Sequence, residues 1–465
     1  MALSHAAPTE LGTEKIGKLL KMYAVPGIIA QTAASLYNMV DSIYIGHMPG
    51  VGSAAISGLA VTFPLMNLSV AMGTLVGVGA MTLLSVLLGQ KNYDAVKRLM
   101  SNVFTLNIII GVLFSIVTIV FLDPILRFFG ASDVTLPYAR DYMIIILGGN
   151  MITHLYHGFN GLIRTAGHPK TAMTLTLLTV LLNAILDPIF IFVLDLGIQG
   201  AAIATILCQT LAFIYTMKFF SDKSKIVHFS RPIFQIDWRI AKQSLAIGVG
   251  PFLMNAAACL VSMVINQQLG KYGGDMAIGA YGIANRFTMF FVMICMGFNQ
   301  GLQPIAGYNY GARQYKRVKQ IFILTAKWEV LVTAICCLLS LLIPQAAVGL
   351  FTNDPEMLKM GSSALRYLNM GFALVGFAMV AGNFFQCLGM VKISIFLSLT
   401  RQLLLLVPLI FVLPLIFGDT GVWLSFPISD TLSVAISAIL IIRLFRKFDK
   451  LKDGGDADIL GSTIK

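Results

Sequence analysis

The sequence predicts an all-α protein that crosses a membrane twelve times, in two six-helix lobes related by pseudo-two-fold symmetry. Three observations support this. Hydrophobic residues make up 57% of the 465 positions and charged ones only 12%, roughly half the charge of a usual soluble domain. At roughly 20–25 residues per crossing, the apolar positions suffice for about a dozen spans with short connections, and a water-soluble globule is excluded. Gly, Pro and charge clusters divide the chain into twelve apolar stretches, and the halves of the chain repeat.

The first span, 16–40, contains Pro26 and runs into the polar stretch LYNMVDSIYIG. The second, 53–85, ends at the charged loop GQKNYDAVKR, from which the third, 98–121, departs. The fourth, 137–165, ends in RTAGHPK; the fifth, 171–193, holds NAILDPIFIF; the sixth, 199–220, follows GIQGAAIAT. After a basic stretch come spans 240–269 and 276–307, the latter closing on GFNQGLQPIAGYNYGAR. Span 318–343 opens on the cluster Arg313 to Lys319, and spans 358–388, 393–416 and 420–444 complete the set. Residues 1–220 are then an N-terminal lobe, 221–239 a cytoplasmic linker, 240–445 a C-terminal lobe and 446–465 a cytoplasmic tail.

An even number of spans puts both termini on one side. Lys15, Lys18, Lys21, Lys91, Lys97, Arg98, Arg164, Lys170, the 218–242 linker, Arg313 to Lys319, Lys392 and Arg443 to Lys452 all fall on that side. By the positive-inside rule it is the cytoplasmic one. The formal charge of +12 is thus a topological label, and nucleic acid is not an expected partner. Met1 to Leu11 has no basic-then-apolar cleavable signal, so insertion is expected to start from the first span.

The repeat has a constant register. Gly89 and Tyr93 precede Gly311 and Tyr315 by 222 residues, and Phe129/Phe351, Gly167/Gly389 and Lys170/Lys392 share that offset. After a two-residue insertion, Gly197/Gly421 and Thr205/Ser429 match at 224. Six helices followed by six in the same order and sidedness are parallel repeats, an arrangement common in secondary transporters and expected to enclose a central cavity.

An ionisable residue at the centre of a span costs roughly 2.5–3.5 kcal/mol, so each needs a reason. Asp41 lies 20 residues after Lys21, and Asp187 17 after Lys170; at 1.5 Å per residue both rise roughly 25–30 Å from the cytoplasmic side. Asn183 sits one turn before Asp187, on the same face, where its amide can donate to the carboxylate. Tyr37 is one turn before Asp41. Pro188 and Pro26 each remove a helical hydrogen bond, so both helices can bend near the cluster. Two carboxyls sharing a site suit the binding of a proton or of a monovalent cation in its place.

Other candidates are read as structural. His154 and His157 lack a nearby carboxylate and are expected to be interior histidines rather than metal ligands. Arg286, Arg401 and Asp430 are expected to form structural pairs or to lie at helix ends, and Lys327 and Glu329 to be interfacial charges at the start of span nine. Cys208, Cys259, Cys295, Cys336, Cys337 and Cys387 show neither paired-loop nor zinc spacing and read as buried small hydrophobes. No phosphate-cradling loop, zinc-protease pair or nucleophile elbow is present, so neither an enzyme nor a resident cofactor is expected.

Taken together, NMVDSIYIG, GQKNYDAVKR, RTAGHPK, NAILDPIFIF, GIQGAAIAT and GFNQGLQPIAGYNYGAR resemble the MATE (multidrug and toxic compound extrusion) transporters over nearly the whole chain. The resemblance implies two six-helix lobes arranged as a V, alternating access, and export of lipophilic, often cationic compounds in exchange for H⁺ or Na⁺. It assigns cation coupling to Asp41, Asp187, Asn183 and Thr205, helix bending to Pro26, and a place in the same network to Asn160, with Tyr37 joining the site. The NorM-like branch carries further acids on helices 7 and 10. Here those helices hold Asn255, Asn266, Gln267, Asn383 and Gln386, so the DinF-like branch fits, with coupling confined to the N-terminal lobe and no acidic counterpart in the other. Protons are favoured, although Asp41, Asn183, Asp187 and Thr205 could together offer oxygens to Na⁺. The expected protein is a monomeric antiporter of the plasma or inner membrane, with the bilayer and small molecules as its partners. The alternative is a flippase for a lipid-linked saccharide, which needs fixed positive charge in its cavity.

Overall fold

The computed structural model describes residues 9–46, 48, 52–229, 234–351 and 354–451, with backbone alone at 36–43, 46, 52–54, 56, 57, 60, 259, 275 and 419. Its long helices are α1 (Ile16–Gly46), α2 (Gly52–Gly89), α3 (Tyr93–Val120), α4 (Leu136–Thr165), α5 (Pro169–Pro188) and α6 (Gly197–Ser221). They continue with α7 (Trp238–Gly274), α8 (Met276–Gly311), α9 (Tyr315–Leu342) and α10, a pair Pro355–Asn369 and Phe372–Cys387 bent by 46°. The last two are α11 (Val391–Phe417) and α12 (Asp419–Lys450). Among the described residues nine helices are long and apolar enough to span a bilayer, the bent pair makes a tenth, and α1 and α4 bring the number to twelve. The protein is a multi-pass membrane protein.

The lipid-facing surface follows from composition. Leu113, Ile116 and Val120 on α3, Leu178, Leu181 and Ile185 on α5, and Leu331, Leu338 and Leu342 on α9 are exposed, as helices with satisfied backbones require in hydrocarbon. By contrast α4 carries Asn150, His154, Asn160 and Arg164, is the most polar of the first six, and packs against α2, α3, α5 and α6.

The 222-residue repeat is written in the backbone. Lys91 and Arg313, at that offset, both adopt φ of 58° where α2 and α8 end; Gly167 and Gly389 are left-handed at 101° and 70°. A positive φ at a non-glycine residue is uncommon, so its recurrence in both halves marks one turn used twice.

The compact units depart from a contiguous split near 220–240. One comprises Met1–Thr13, Ile29–Phe252 and Leu460–Lys465; the other takes Glu14–Ile28 together with Leu253–Ile459. Each half thus lends the start of its leading helix to the other unit, and the transfer falls two residues after Pro26 in α1 and one after Pro251 in α7. Glycines make room for the loans. A Cβ on Gly301 of α8 would lie 2.7 Å from the backbone nitrogen of Ala24, and one on Gly79 of α2 would overlap the Ser244 carbonyl. Gly79 and Gly301 are again 222 apart.

The first unit buries Leu65, Met143, Leu147, Ile191 and Ile198; the second buries Ile265, Leu269, Leu365, Ile410, Val422 and Phe426. The linker is pinned to the first unit. Arg98 bonds Asp237 at 2.9 Å, and Asn102 both donates to the Asp237 carbonyl and accepts from its N–H.

Candidate coupling site

Asp187 is fully buried at the end of α5. The helical ladder that Pro188 interrupts is resumed in the wider π form over Ile189–Val193, the kind of local irregularity that recurs at functional sites. One turn earlier Asn183, itself buried, donates through Nδ2 to Asp187 Oδ1. Thr205 of α6 donates through Oγ1 to Asn183 Oδ1 at 3.4 Å. The result is a directed chain, hydroxyl to amide to carboxylate, that draws three of the expected residues together. Tyr37 and Asp41 belong to the helical backbone of α1, which runs on to Gly46; their side chains lie outside the described residues.

Asn160 is placed elsewhere on the same seam. Its Nδ2 donates to Thr176 Oγ1 at 3.0 Å, and Thr179 bonds the Tyr156 hydroxyl at 3.3 Å. Thr176, Thr179, Asn183 and Asp187 share one face of α5, so a polar seam runs along it, but Asn160 meets it roughly 16 Å before the carboxylate. His154 is interior: its Nε2 lies 3.0 Å from the Ser69 carbonyl, and Ser69 Oγ donates to Asn150 at 2.6 Å, joining α2 to α4. His157 is exposed on α4. Among the described residues no three His, Cys, Asp or Glu side chains gather as a metal site, and the five described cysteines are free and buried.

The second unit also buries acids away from the interface, the first of them in the structural pair expected of Arg401 and Asp430. Asp430 is 3% exposed and pairs with Arg401 at 2.6 Å. Beside them Ser429 donates to the Arg401 carbonyl at 2.5 Å. Ser429 matches Thr205 in the repeat, so α11–α12 are stapled where α5–α6 are, and α11 also passes through a π segment, Thr400–Leu406. Arg286 is exposed.

Glu329 is likewise no interfacial charge. It is 0% exposed, near the midpoint of the 28-residue α9. Asn299 of α8 donates to its Oε2 at 3.5 Å, and Asn383 of α10 donates to Asn299 Oδ1 at 3.0 Å. The signal that could have found it is positional: it stands 11 residues inside the expected span, and the residue 222 before it is Asn107, buried in α3.

Lipid-exposed helices in two repeated units, with buried polar seams running along them, define a membrane transporter. The MatE family model matches residues 26–189 and 252–412, well over half the chain, and the chain belongs to that family. It is 28% identical over 429 residues to "Multidrug export protein MepA" of Staphylococcus aureus (strain MSSA476), covering 92% of this chain and 94% of that one. Among solved structures, one of the MATE multidrug transporter DinF-BH, in complex with a dye, is 34% identical, with 95% and 98% of the two chains covered and a TM-score of 0.85. A second, an outward-facing MATE family transporter of the MOP superfamily, has a TM-score of 0.89 at 22% identity, with 96% and 99% covered, and supports the fold alone.

Proposed function

We propose that this chain is a multidrug exporter that expels lipophilic, often cationic compounds in exchange for protons, with Asp187 and Asp41 as the coupling carboxyls. The observation that carries the reading is the relay from Thr205 through Asn183 to a fully buried Asp187. The names of the relatives, MepA and the dye-bound DinF-BH, support the export of small molecules. A buried carboxylate is tolerated only when its charge is met, and gaining or losing a proton there changes what α5 and α6 can hold together.

The donor set favours a proton over Na⁺. Asn183 turns its N–H toward Asp187 and its oxygen toward Thr205, so the carboxylate faces an amide donor where a sodium ion would need oxygens. The lipid-linked saccharide reading finds little support, because Arg401 is already committed to Asp430. We place the protein in the plasma or inner membrane as a monomer, with both termini cytoplasmic, as the distribution of basic residues favours.

The test is reconstitution of the full chain in vesicles and measurement of efflux of ethidium, a fluorescent lipophilic cation, under a pure pH gradient, then a pure sodium gradient. Efflux should follow the pH gradient, and Asp187→Asn should abolish it while ethidium still binds. Equal efflux from the Asp187→Asn protein would overturn the reading.

A further inference from the structure

We propose that the C-terminal half contains a second proton-binding site, the Glu329 carboxyl held by Asn299 and Asn383, and that this site takes part in the transport cycle. The inference rests on the transporter reading but not on Asp187.

The geometry begins with a fixed orientation. Asn383 Nδ2 lies 3.2 Å from the Asn299 backbone carbonyl as well as 3.0 Å from Asn299 Oδ1. A backbone carbonyl can only accept, so Asn383 must present its N–H₂ there, Asn299 must accept through Oδ1, and the Asn299 N–H₂ is left to point at Glu329. The amide chain therefore has a direction, and it ends on Oε2 at 3.5 Å. Oε1 is buried and has no hydrogen-bond partner among the described residues. A single long bond from a neutral amide falls far short of the two or three donors a buried carboxylate normally collects.

Among the described residues no cation makes up the deficit. The second half of α10, which packs on α9, contains no charged residue; its first half carries Glu356, Lys359 and Arg366. Lys319 at the start of α9 pairs with Asp449 of α12, and Asp430 of α12 pairs with Arg401. Lys327 is exposed. The titratable group facing Glu329 from α8 is the buried thiol of Cys295. None of these forms an ion pair with Glu329 among the described residues. Gly376 lets α10 press onto the α9 backbone at Glu329, since a Cβ there would meet the Glu329 carbonyl, and this keeps solvent off one side. Asn299 and Asn383 are only half-buried, so the carboxyl lies within two side chains of a more open edge of the unit.

Sodium fits poorly. The contact that the carboxylate does make is to an N–H donor, Asn299 Nδ2, and Asn299 Oδ1 is engaged by Asn383, whereas a sodium ion needs oxygens. The carboxyl is left with a proton as the charge that compensates it.

Infrared difference spectroscopy on the purified full chain in nanodiscs tests this without transport. A pH step should remove a protonated-carboxyl band that is present in wild type and in Asp187→Asn but missing from Glu329→Gln. In vesicles, Glu329→Gln should slow pH-driven ethidium efflux by about tenfold, within the usual range of a coupling between sites, while ethidium binding stays within twofold. If Glu329→Gln does not assemble, Asn299→Ala keeps the carboxyl and should shift the pH at which the band is lost. An unchanged band in Glu329→Gln, or an unshifted one in Asn299→Ala, overturns the proposal. A wild type that shows the band but no pH-driven efflux would sink the antiporter reading instead.

Discussion

Asn183 and Asn299 do the same work in the two units. Each accepts through Oδ1 from a side chain of another helix, Thr205 for Asn183 and Asn383 for Asn299, and each donates through Nδ2 to a buried carboxylate. The two asparagines are not equivalent in the 222-residue repeat, since the residue at that distance before Asn299 is Gly77. The same chemistry has therefore been reached on different helices. In both cases the amide sets which oxygen of the acid is held and which is left for other company.

Thr205 is the outer link of the relay to Asp187. Thr205→Val keeps the side-chain shape but deletes the donor to Asn183. One net hydrogen bond is worth about 0.5–1.5 kcal/mol, so proton-driven ethidium efflux should slow by roughly two- to tenfold, well short of the loss in Asp187→Asn. Efflux from the Thr205→Val protein at the wild-type rate would show that Asn183 needs no such hold.

How far the sequence could be read depended on whether the informative partners were near in the chain. Apolar length and breakers marked all twelve helices, and the fixed offset located turns such as Lys91 and Arg313 without any contact information. Asn183 and Asp187 were legible because they are four apart on one helix. Glu329 was not: its partner Asn299 lies 30 residues away on α8 and the residue that orients Asn299, Asn383, lies 54 away on α10, and the basic residues before it suggested an interface. Nor could the loan of residues 14–28 to the second unit be foreseen, because nothing local distinguishes a helix that stays in its unit from one that crosses over.

The pair Arg401 and Asp430 should behave as a buried ion pair with one wet edge. The Asp430 side chain is 4% exposed and that of Arg401 31%. Arg401→Met strands the carboxylate and should cost about 3 kcal/mol, toward the lower end for such breaks. The double variant Arg401→Met with Asp430→Leu removes both charges and should recover most of it. Thermal unfolding of the three proteins in one detergent decides the matter; equal melting of wild type and Arg401→Met would mean the pair is inert.

Gly79 and Gly301 should be equally intolerant of a side chain. Each sits where a Cβ meets the backbone of the helix start lent by the other half, Ser244 for Gly79 and Ala24 for Gly301. Gly79→Val and Gly301→Val should each destabilise by about 1–3 kcal/mol through overpacking. Gly148 in α4 has nothing within 4 Å of its added Cβ, so Gly148→Ala should melt no lower than wild type. A Gly301→Val protein as stable as the Gly148→Ala control would remove the steric argument.

The loop between α4 and α5 carries a histidine, His168, that ties stability to pH. His168 precedes the first residue of α5, with its ring 5.2 Å from that of Phe219. Burial there, and then the nearby Lys225 ammonium, lower its proton affinity below that of an ordinary histidine. The unfolded chain binds its proton at about pH 6.5, and the folded one only at lower pH. Unfolding thus takes up a proton between the two values, so stability is full above about pH 6.5 and declines as pH falls through that window. His168→Gln cannot titrate and should lose this part of the slope. Melting temperatures of both proteins across the acid range provide the check: an identical decline in His168→Gln would show that His168 contributes nothing to it.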